Sequence, residues 1–471
     1  MLHRLAASCL AFAALCLTAG AARAQTWSAD TVRADLAQFR REFFEPDRAY
    51  SAPARQAAQA RLALLDAQAR ELDPVRFGLA LAQVAALADN GHTLSYGGPR
   101  LARSNRVGLR LAPFGRDFVV LRVRTADADL LGAALLAIDD VPLERLREAA
   151  HGLTGGLPSW RDRQAPLLLE SPQQLQALDL VKDAAAARYR FLLADGRVIE
   201  RRLVAEAPSP DRPRSDTSRL LLPDVVPETR DGTDTGWRSL LRAGAAPWSL
   251  QEGGRAFRWR HAPELAAVVI ELRQTHDARE STLAAFFAEV RAAVQRHQPT
   301  HLVLDLRLNG GGDLTQARDF AESLPALVPG RIYALTSPWT FSAAISITGY
   351  LKQAAPARVR IVGEPVGDRL EFFAEGRPVT LAHSGEVLLP ATERHDYRDG
   401  CRRFTDCHAP VVRRPIAVES LAPDLFAPWT PDAYRRGIDP AMDAVAADQA
   451  SISSVSMSCT GRPVARAIAS R

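Results

Sequence analysis

The segment LTSPWTFSAAISITGYL, residues 335–351, contains the hydroxyl groups whose surroundings best fit nucleophilic chemistry. Ser342 follows a turn-like stretch and precedes an apolar helical run, so the N–H of Ala343 would lie at the start of a helix. That end of a helix favours developing negative charge. Ser337 is a rival hydroxyl, but its place before Pro338 is typical of a turn residue. On these residues alone, a helix N-cap is the favoured role for Ser342.

A glycine-rich loop, Asn309 to Gly312, directly follows the apolar run HLVLDLRL. Successive glycines let the backbone approach a ligand and point N–H groups at it, as an oxyanion hole or a phosphate-binding loop requires. The loop lacks both the G-K-[ST] ending and the G-x-G-x-x-G order of nucleotide-binding loops. The sequence therefore favours an oxyanion hole.

The composition limits the choice of a base and of partners. Lys182 and Lys352 are the only lysines, and the many arginines remain protonated and cannot act as bases. The net charge of +5 is scattered along the chain, which argues against binding to nucleic acid or to a membrane surface. No metal or organic cofactor is implied, and no segment predicts a membrane span.

Residues 1–24 have the features of a signal peptide: a short basic start, an apolar stretch and the A-x-A site Ala22-Arg23-Ala24. Cleavage there would leave Gln25 as the first residue of an exported protein, either periplasmic or secreted. In such an oxidising compartment Cys401 and Cys407, within DGCRRFTDC, are expected to form a small disulfide loop.

Two alternatives apply to this cysteine-containing segment. Cys401 and Cys407 could instead be unpaired surface thiols. His408, next to Cys407, raises the idea of a metal site, but no second cysteine–histidine pair supports one.

Changes in periodicity divide the rest of the chain. Helical spacing of apolar residues predicts an N-terminal helical bundle, and short alternating runs predict a β-rich, PDZ-like module with a hairpin around Asp195-Gly196. Strands that alternate with amphipathic helices then predict an α/β domain. The predicted boundaries are 25–95 for the bundle, 96–205 for the β-rich module, 206–255 for a linker, 256–448 for the catalytic α/β domain and 449–471 for a flexible tail.

Several motifs together resemble the tail-specific (C-terminal-processing) serine peptidases, in the branch of the tricorn core protease and interphotoreceptor retinoid-binding protein. They occur in the family's order between residues 89 and 445 and are DNGHT, DLRLNGGGD, TSPWTFSAA, VGEPVG and LAPDLFAPWTPDAYRRGIDPAMDAV. The resemblance implies a ClpP/crotonase-like catalytic domain. It also implies a polypeptide substrate, Ser342 as the nucleophile, and the amides of Gly311 and Ala343 as the oxyanion hole.

The family uses either a Ser–Lys dyad or a Ser–His arrangement. The dyad lysine would follow GEPVG, where this chain has Asp368, Arg369 and Leu370, and Lys352 would lie about 15 Å along a helix from Ser342. By resemblance, His92 in DNGHT is therefore the general base.

The chain departs from the tricorn-like pattern in the residues that support this base. Gly91 stands where those relatives have a serine, and Glu419 is a loose match for the glutamate that completes their tetrad. Glu364 lies closer in sequence to the site and is the other candidate for the orienting acid.

The main hypothesis is an exported serine peptidase that forms an acyl-enzyme on Ser342. A non-catalytic protein that binds a peptide or a small apolar ligand is the alternative, because the resemblance includes a retinoid-binding relative. An acyl-CoA enzyme is a third interpretation, since glycine-lined oxyanion holes also occur in crotonase-like relatives. The sequence leaves the oligomeric state open.

Overall fold

A computed structural model describes residues 27–208, 219–223 and 236–459 of the chain. The predicted signal peptide and residues 460–471 of the predicted tail lie outside the described residues. Within the described ranges, no helix combines the length and the apolar character needed to cross a bilayer.

The N-terminal region is the helical bundle that the periodicity predicts. A side-chain oxygen of Ser28, Ser51 or Asp73 accepts backbone N–H bonds at the start of each main helix. One face of every helix is buried in a shared apolar cluster that includes Phe39 and Phe77. The elements are α1 (Ala29–Phe39) with a π-helical turn (Arg40–Phe44), α2 (Ala52–Ala67), α3 (Pro74–Ala86) and the short strand β1 (Leu94–Ser95).

The middle region is an antiparallel sheet packed against short helices. Its strands are β2 (Arg106–Val107), β3 (Leu109–Phe114), β4 (Asp117–Arg124), β5 (Ala134–Ile138), β6 (Val141–Pro142), β7 (Ala186–Leu192), β8 (Val198–Glu206) and β9 (Trp237–Ser239). Its helices are α4 (Gly97–Ala102), α5 (Leu143–His151), α6 (Pro158–Gln164), α7 (Pro166–Leu169) and α8 (Pro172–Ala177). The order is β2-β8-β7-β5-β4-β3, and β7 and β8 form the predicted hairpin around Asp195-Gly196.

The third region contains a mostly parallel six-stranded sheet. Its strands are β10 (Phe257–Ala262), β11 (Ala267–Leu272), β12 (His301–Asp305), β13 (Ile332–Thr336), β14 (Val359–Gly363) and β19 (Leu425–Phe426), in that spatial order. β10 is antiparallel to β11, whereas β11, β12, β13, β14 and β19 are parallel to one another. β11, β12 and β13 are apolar and almost wholly buried because helices cover the sheet. This is the predicted α/β architecture.

The third region also contains helices and short strands outside the six-stranded sheet. The helices are α9 (Leu283–His297), α10 (Leu314–Leu327), α11 (Ala343–Ala354), α12 (Ala409–Arg413), α13 (Pro431–Arg436) and α14 (Pro440–Cys459). The small strands are β15 (Glu371–Ala374), β16 (Val379–Thr380), β17 (Val387–Leu389) and β18 (Glu393–Asp396). β15 pairs with β18, while β17 pairs with β1 and so joins the N-terminal bundle to the α/β region.

Some elements cross the boundaries that the sequence predicts. β9 lies inside the predicted linker and pairs with β4, because Arg122, Val123 and Arg124 offer a free strand edge to it. α14 continues through the start of the predicted tail to Cys459. Cys401 and Cys407 are joined by a disulfide, as predicted.

Candidate functional site

Ser342 lies on a strained turn between β13 and α11. Its backbone has φ 55° and ψ −125°, a region that non-glycine residues rarely adopt, and such strain is concentrated at functional sites. In enzymes with a nucleophilic serine, a sharp and strained strand-to-helix turn of this kind exposes the serine hydroxyl. The Ser342 side chain makes no capping hydrogen bond, so the simple N-cap role is absent.

Ser337, the rival hydroxyl, is occupied within the preceding turn. Its Oγ donates to the carbonyl oxygen of Arg307 at 2.5 Å and accepts the N–H of Trp339 at 3.0 Å. The side chain is buried. Ser337 therefore holds the turn, as its position before Pro338 predicts.

The two amides predicted to form the oxyanion hole differ in whether their N–H groups are already hydrogen-bonded. The N–H of Ala343 opens α11, and no acceptor for it is found among the described residues. The N–H of Gly311 instead donates to Oδ1 of Asn309 at 2.8 Å, so this amide is not free. Asn309 is fully buried and was not singled out by the sequence, although it begins the glycine loop.

Gly311 nevertheless has a steric reason to be glycine. Its φ is 105°, and a Cβ at this position would lie 2.5 Å from the Cβ of Ser342 and 3.1 Å from the Ala343 nitrogen. Any side chain there would push against the Ser342 turn. Glycine at this position therefore lets the loop lie directly against the turn that carries Ser342.

His92 is paired with Asp368, a residue that the sequence did not identify as its partner. Nδ1 of His92 lies 3.2 Å from Oδ2 of Asp368, and both side chains are buried. Asp368 had been considered only as one of the residues at the position of the family's dyad lysine. A carboxylate at Nδ1 fixes the orientation and the tautomer of a histidine base.

Gly91 explains why this carboxylate fits. A Cβ on Gly91 would lie 2.6 Å from Oδ2 of Asp368, closer than real contacts allow. Glycine at position 91 therefore leaves the space that the carboxylate of Asp368 occupies. The combination of Gly91 with an acid after GEPVG was the signal in the sequence that could have indicated this pair.

Backbone contacts hold the His92 turn against the α/β region. The side chain of Asn90 donates to the carbonyl of Phe373 at 2.9 Å and accepts its N–H at 3.0 Å. Arg369 donates to the carbonyl oxygen of Asp89 at 2.7 Å and to its carboxylate at 2.8 Å. The turn is thus held by two residues that follow Asp368 in the chain.

Aromatic rings enclose the imidazole of His92. Its ring stacks on Phe341 with centroids 4.3 Å apart and on Phe372 with centroids 4.9 Å apart. Phe341, the residue before Ser342, also stacks on Trp160. The Nε2 atom of His92 is buried and has no hydrogen-bond partner among the described residues, so it is not bonded to Ser342 here.

Neither acid proposed from the sequence contacts His92. Glu419 is exposed, in the loop before β19. Glu364 follows β14, and burial raises its pKa to about 7 although the positive charge of Arg307 opposes the shift. Asp368, rather than Glu419 or Glu364, is the acid paired with His92, because the turn after VGEPVG brings it there.

The two lysines are not part of the site. Nζ of Lys352 donates to the carbonyl of Val359 at 3.0 Å and lies 3.4 Å from a carboxylate oxygen of Asp424. Lys182 is exposed between α8 and β7. A Ser–Lys dyad is therefore absent from the part of the chain that the structure describes.

Two cavities lie near the Ser342 turn, and neither is lined by Ser342 or His92. The smaller one includes Pro338 and Trp339 of that turn, whereas the larger one reaches it only through Trp160, which stacks on Phe341. A cavity of about 510 Å³ lies between β1, the helices of the middle region and β17, with Tyr96 and Trp160 in its wall. A second, of about 190 Å³, is lined by Trp339, Glu364 and aromatic or charged neighbours. Arg163 contributes to both walls, so the cavities are neighbours.

Among the comparisons with known proteins, only the search of solved structures found similar proteins. No protein-family model matches the sequence, and no curated protein matches it. The structure of mature CPAF aligns with a TM-score of 0.54 and 10% identity, over 92% of this chain and 99% of that one. Mature CPAF complexed with lactacystin aligns with a TM-score of 0.53 and 11% identity, over 90% and 99% of the two chains.

A photosystem II D1 C-terminal processing protease also aligns, over 90% of this chain and 97% of that one, at 13% identity. Its TM-score of 0.37 is too low to establish a shared fold. The CPAF alignments span almost the whole of both chains and show that the folds are the same. The predicted fold class, an α/β domain with a helical bundle and a β-rich module, is therefore confirmed.

Proposed function

We propose that this protein is a serine peptidase that cleaves polypeptides through an acyl-enzyme on Ser342. The observation that carries the proposal is the strained backbone of Ser342 at the start of α11, with a hydroxyl that caps nothing and an Ala343 amide that has no acceptor. A nucleophile beside a free helix-terminal N–H is what acyl transfer requires.

In the proposed reaction the Ser342 oxygen attacks the carbonyl carbon of the scissile peptide bond, and Nε2 of His92 takes the hydroxyl proton. The Ala343 N–H stabilises the oxyanion. His92 then gives the proton to the leaving amine, and water hydrolyses the ester by the same steps. Asp368 holds Nδ1 of His92 and stabilises the charged ring.

The contact between Ser342 and His92 must form when substrate binds. Nε2 of His92 has no hydrogen-bond partner among the described residues and its ring stacks on Phe341, the residue before Ser342, so this nitrogen is available to accept the hydroxyl proton. Catalytic hydrogen bonds are often open in the absence of substrate and close in the complex. The smaller cavity, which includes Pro338 and Trp339 of the Ser342 turn, is the candidate for part of the polypeptide-binding surface.

A non-catalytic binding protein is the second candidate, and one observation favours it: Ser342 and His92 are not hydrogen-bonded. Hydrolysis of an unfolded polypeptide separates the two functions. We expect Ser342→Ala and His92→Ala each to lower the rate by at least ~10³-fold, since losing one member of such a unit disables the unit. Lys352→Ala should change it little. A purified protein that binds peptides without cleaving them would favour the binding function.

We also propose that the chain is exported and begins at Gln25 after removal of residues 1–24. The support is the sequence of that segment, with its apolar stretch and A-x-A site. N-terminal sequencing of protein recovered outside the cytoplasm should give Gln-Thr-Trp. A protein that retains Met1 there would contradict export by this signal.

A further inference from the structure

Glu375, His395 and His408 meet on the far side of Phe372 from His92. Glu375 follows β15, His395 lies in β18 and His408 comes directly after the disulfide at Cys407. One ligand-type atom from each of the three side chains lies within 4.8 Å of the other two. The fold has therefore gathered two imidazoles and a carboxylate from three separate segments.

The spacing of these atoms suits a small divalent cation. Oε1 of Glu375 lies 3.1 Å from Nε2 of His395 and 3.9 Å from Nε2 of His408. Around a tetrahedral zinc ion with bonds of about 2.0–2.1 Å, neighbouring ligand atoms are roughly 3.3 Å apart. Only a small adjustment of the partly exposed Glu375 and His408 would bring all three atoms to one ion.

The other ring nitrogens already have partners, which directs both Nε2 atoms to Glu375. Nδ1 of His408 lies 2.7 Å from a carboxylate oxygen of Glu393, which can only accept, so Nδ1 carries the proton. Nε2 of His408 is thus the nitrogen on the Glu375 side, where it could bind a metal ion. A carboxylate behind a ligating histidine, as Glu393 would be here, is a usual feature of metal sites.

His395 is held in a similar way. Its Nδ1 lies 3.0 Å from the hydroxyl of Tyr397, which in turn lies 2.6 Å from the hydroxyl of Ser346 in α11. The His395 ring is almost fully buried, so its orientation is fixed before any ion arrives.

We propose that Glu375, His395 and His408 form a zinc-type metal site, with Glu393 and Tyr397 orienting the two histidines. Two histidines and one carboxylate are a ligand set typical of zinc, and they leave a fourth position for water. The cluster does not include His92 itself. The ring of Phe372 lies between them, with its centroid 4.8 Å from that of His395 and 4.9 Å from that of His92.

A bound ion would therefore tie together the β15–β18 pair and the disulfide segment. Phe372 and His395 are direct cross-strand partners in that pair. The ion would stabilise the strand that supports the aromatic wall behind His92. The expected effect is a higher melting temperature in the presence of zinc, whether or not the protein cleaves peptides.

The test is a titration of the untagged, chelator-treated, full-length protein with Zn²⁺ alone, its disulfide intact and any free thiol blocked. We expect one Zn²⁺ per chain, and Co²⁺ should give the visible absorption of a tetrahedral ion. Glu375→Gln and His408→Ala should abolish this binding. Glu393→Gln should weaken it by about 10–100-fold, as loss of such a carboxylate typically does.

His297→Ala is the matched control, because His297 stacks on His261 elsewhere on the molecule and removes an imidazole from an unrelated pair. It should leave the zinc affinity unchanged. The proposal is overturned if zinc does not bind, or if Glu375→Gln and His408→Ala proteins with wild-type circular dichroism bind it as the wild type does. The three side chains would then be a hydrogen-bonded cluster only.

Discussion

Nδ1 of His92 lies 3.2 Å from Oδ2 of Asp368, in a pair buried between the N-terminal bundle and the α/β region. The two residues are 276 positions apart in the chain. Their contact gives the candidate base an orienting acid that differs from the glutamate of the tricorn-like pattern. The pair also explains Gly91, because the carboxylate occupies the space of a side chain there.

Asp368→Asn should lower kcat by about 10³–10⁴-fold with little change in KM, since the amide no longer fixes the productive tautomer of His92. Glu419→Gln removes the exposed acid that the sequence suggested and should leave kcat unchanged. Steady-state kinetics on one peptide substrate measure both. If Glu419→Gln is inactive and Asp368→Asn retains full turnover, Asp368 is not the orienting acid.

Gly91→Ala should displace the Asp368 carboxylate, because the new Cβ would lie 2.6 Å from Oδ2. A displacement of about 1 Å at a catalytic group can reduce the rate by ~10²-fold, and we expect a loss in kcat of that order. Gly254→Ala is the control, since a Cβ there meets no atom within 4 Å. Equal activity of the two variants would show that the space beside Asp368 is not restricted.

Glu364→Gln should alter the pH dependence of stability. Burial raises the pKa of Glu364 from its usual 4.5 to about 7 in the folded protein, so the unfolded chain ionises first as the pH rises. The folded wild type therefore loses stability between about pH 4.5 and 7, whereas the glutamine variant lacks this loss. The melting temperature of the variant relative to wild type should rise across that window and then level off. If the difference in melting temperature between the variant and the wild type is the same at pH 5 and pH 8, the raised pKa of Glu364 is contradicted.

The disulfide should contribute to folding stability. Closing the short loop between Cys401 and Cys407 restricts the unfolded chain, and its removal should lower the free energy of unfolding by about 2 kcal/mol. Denaturant unfolding of the Cys401→Ser/Cys407→Ser double variant measures this, with Cys459→Ser as the control. Non-reducing peptide mapping should find the linked peptides in the wild type. Free thiols at both positions would refute the pairing in solution.

The alternation of strands and helices was predictable because it depends on local periodicity. Runs such as HLVLDLRL are apolar throughout, as strands buried on both faces must be, and β12 lies within that run. The turn at Ser342 was predictable for the same reason, since a polar segment there separates β13 from α11.

Contacts between distant segments were not predictable in this way. Asp368 reaches His92 only because β1 pairs with β17 and the Asn90 side chain pairs with Phe373. The role of Asn309 as the acceptor for the Gly311 amide depends on how the loop folds back on itself. The sequence suggests Cys407 as the neighbour of His408 in a metal site, whereas the proposed partners are Glu375, after β15, and His395, in β18.

Labelling of the folded protein with a fluorophosphonate probe tests the central claim most directly, because the probe reacts with activated serine hydroxyls. We expect a single adduct that mass spectrometry of the digested protein locates on Ser342. Ser342→Ala should abolish labelling, and His92→Ala should slow it strongly. Ser420→Ala, which removes an exposed serine outside the site, should label as the wild type does. Native protein that stays unlabelled, or that carries the adduct at another residue, would contradict the assignment of Ser342 as the nucleophile.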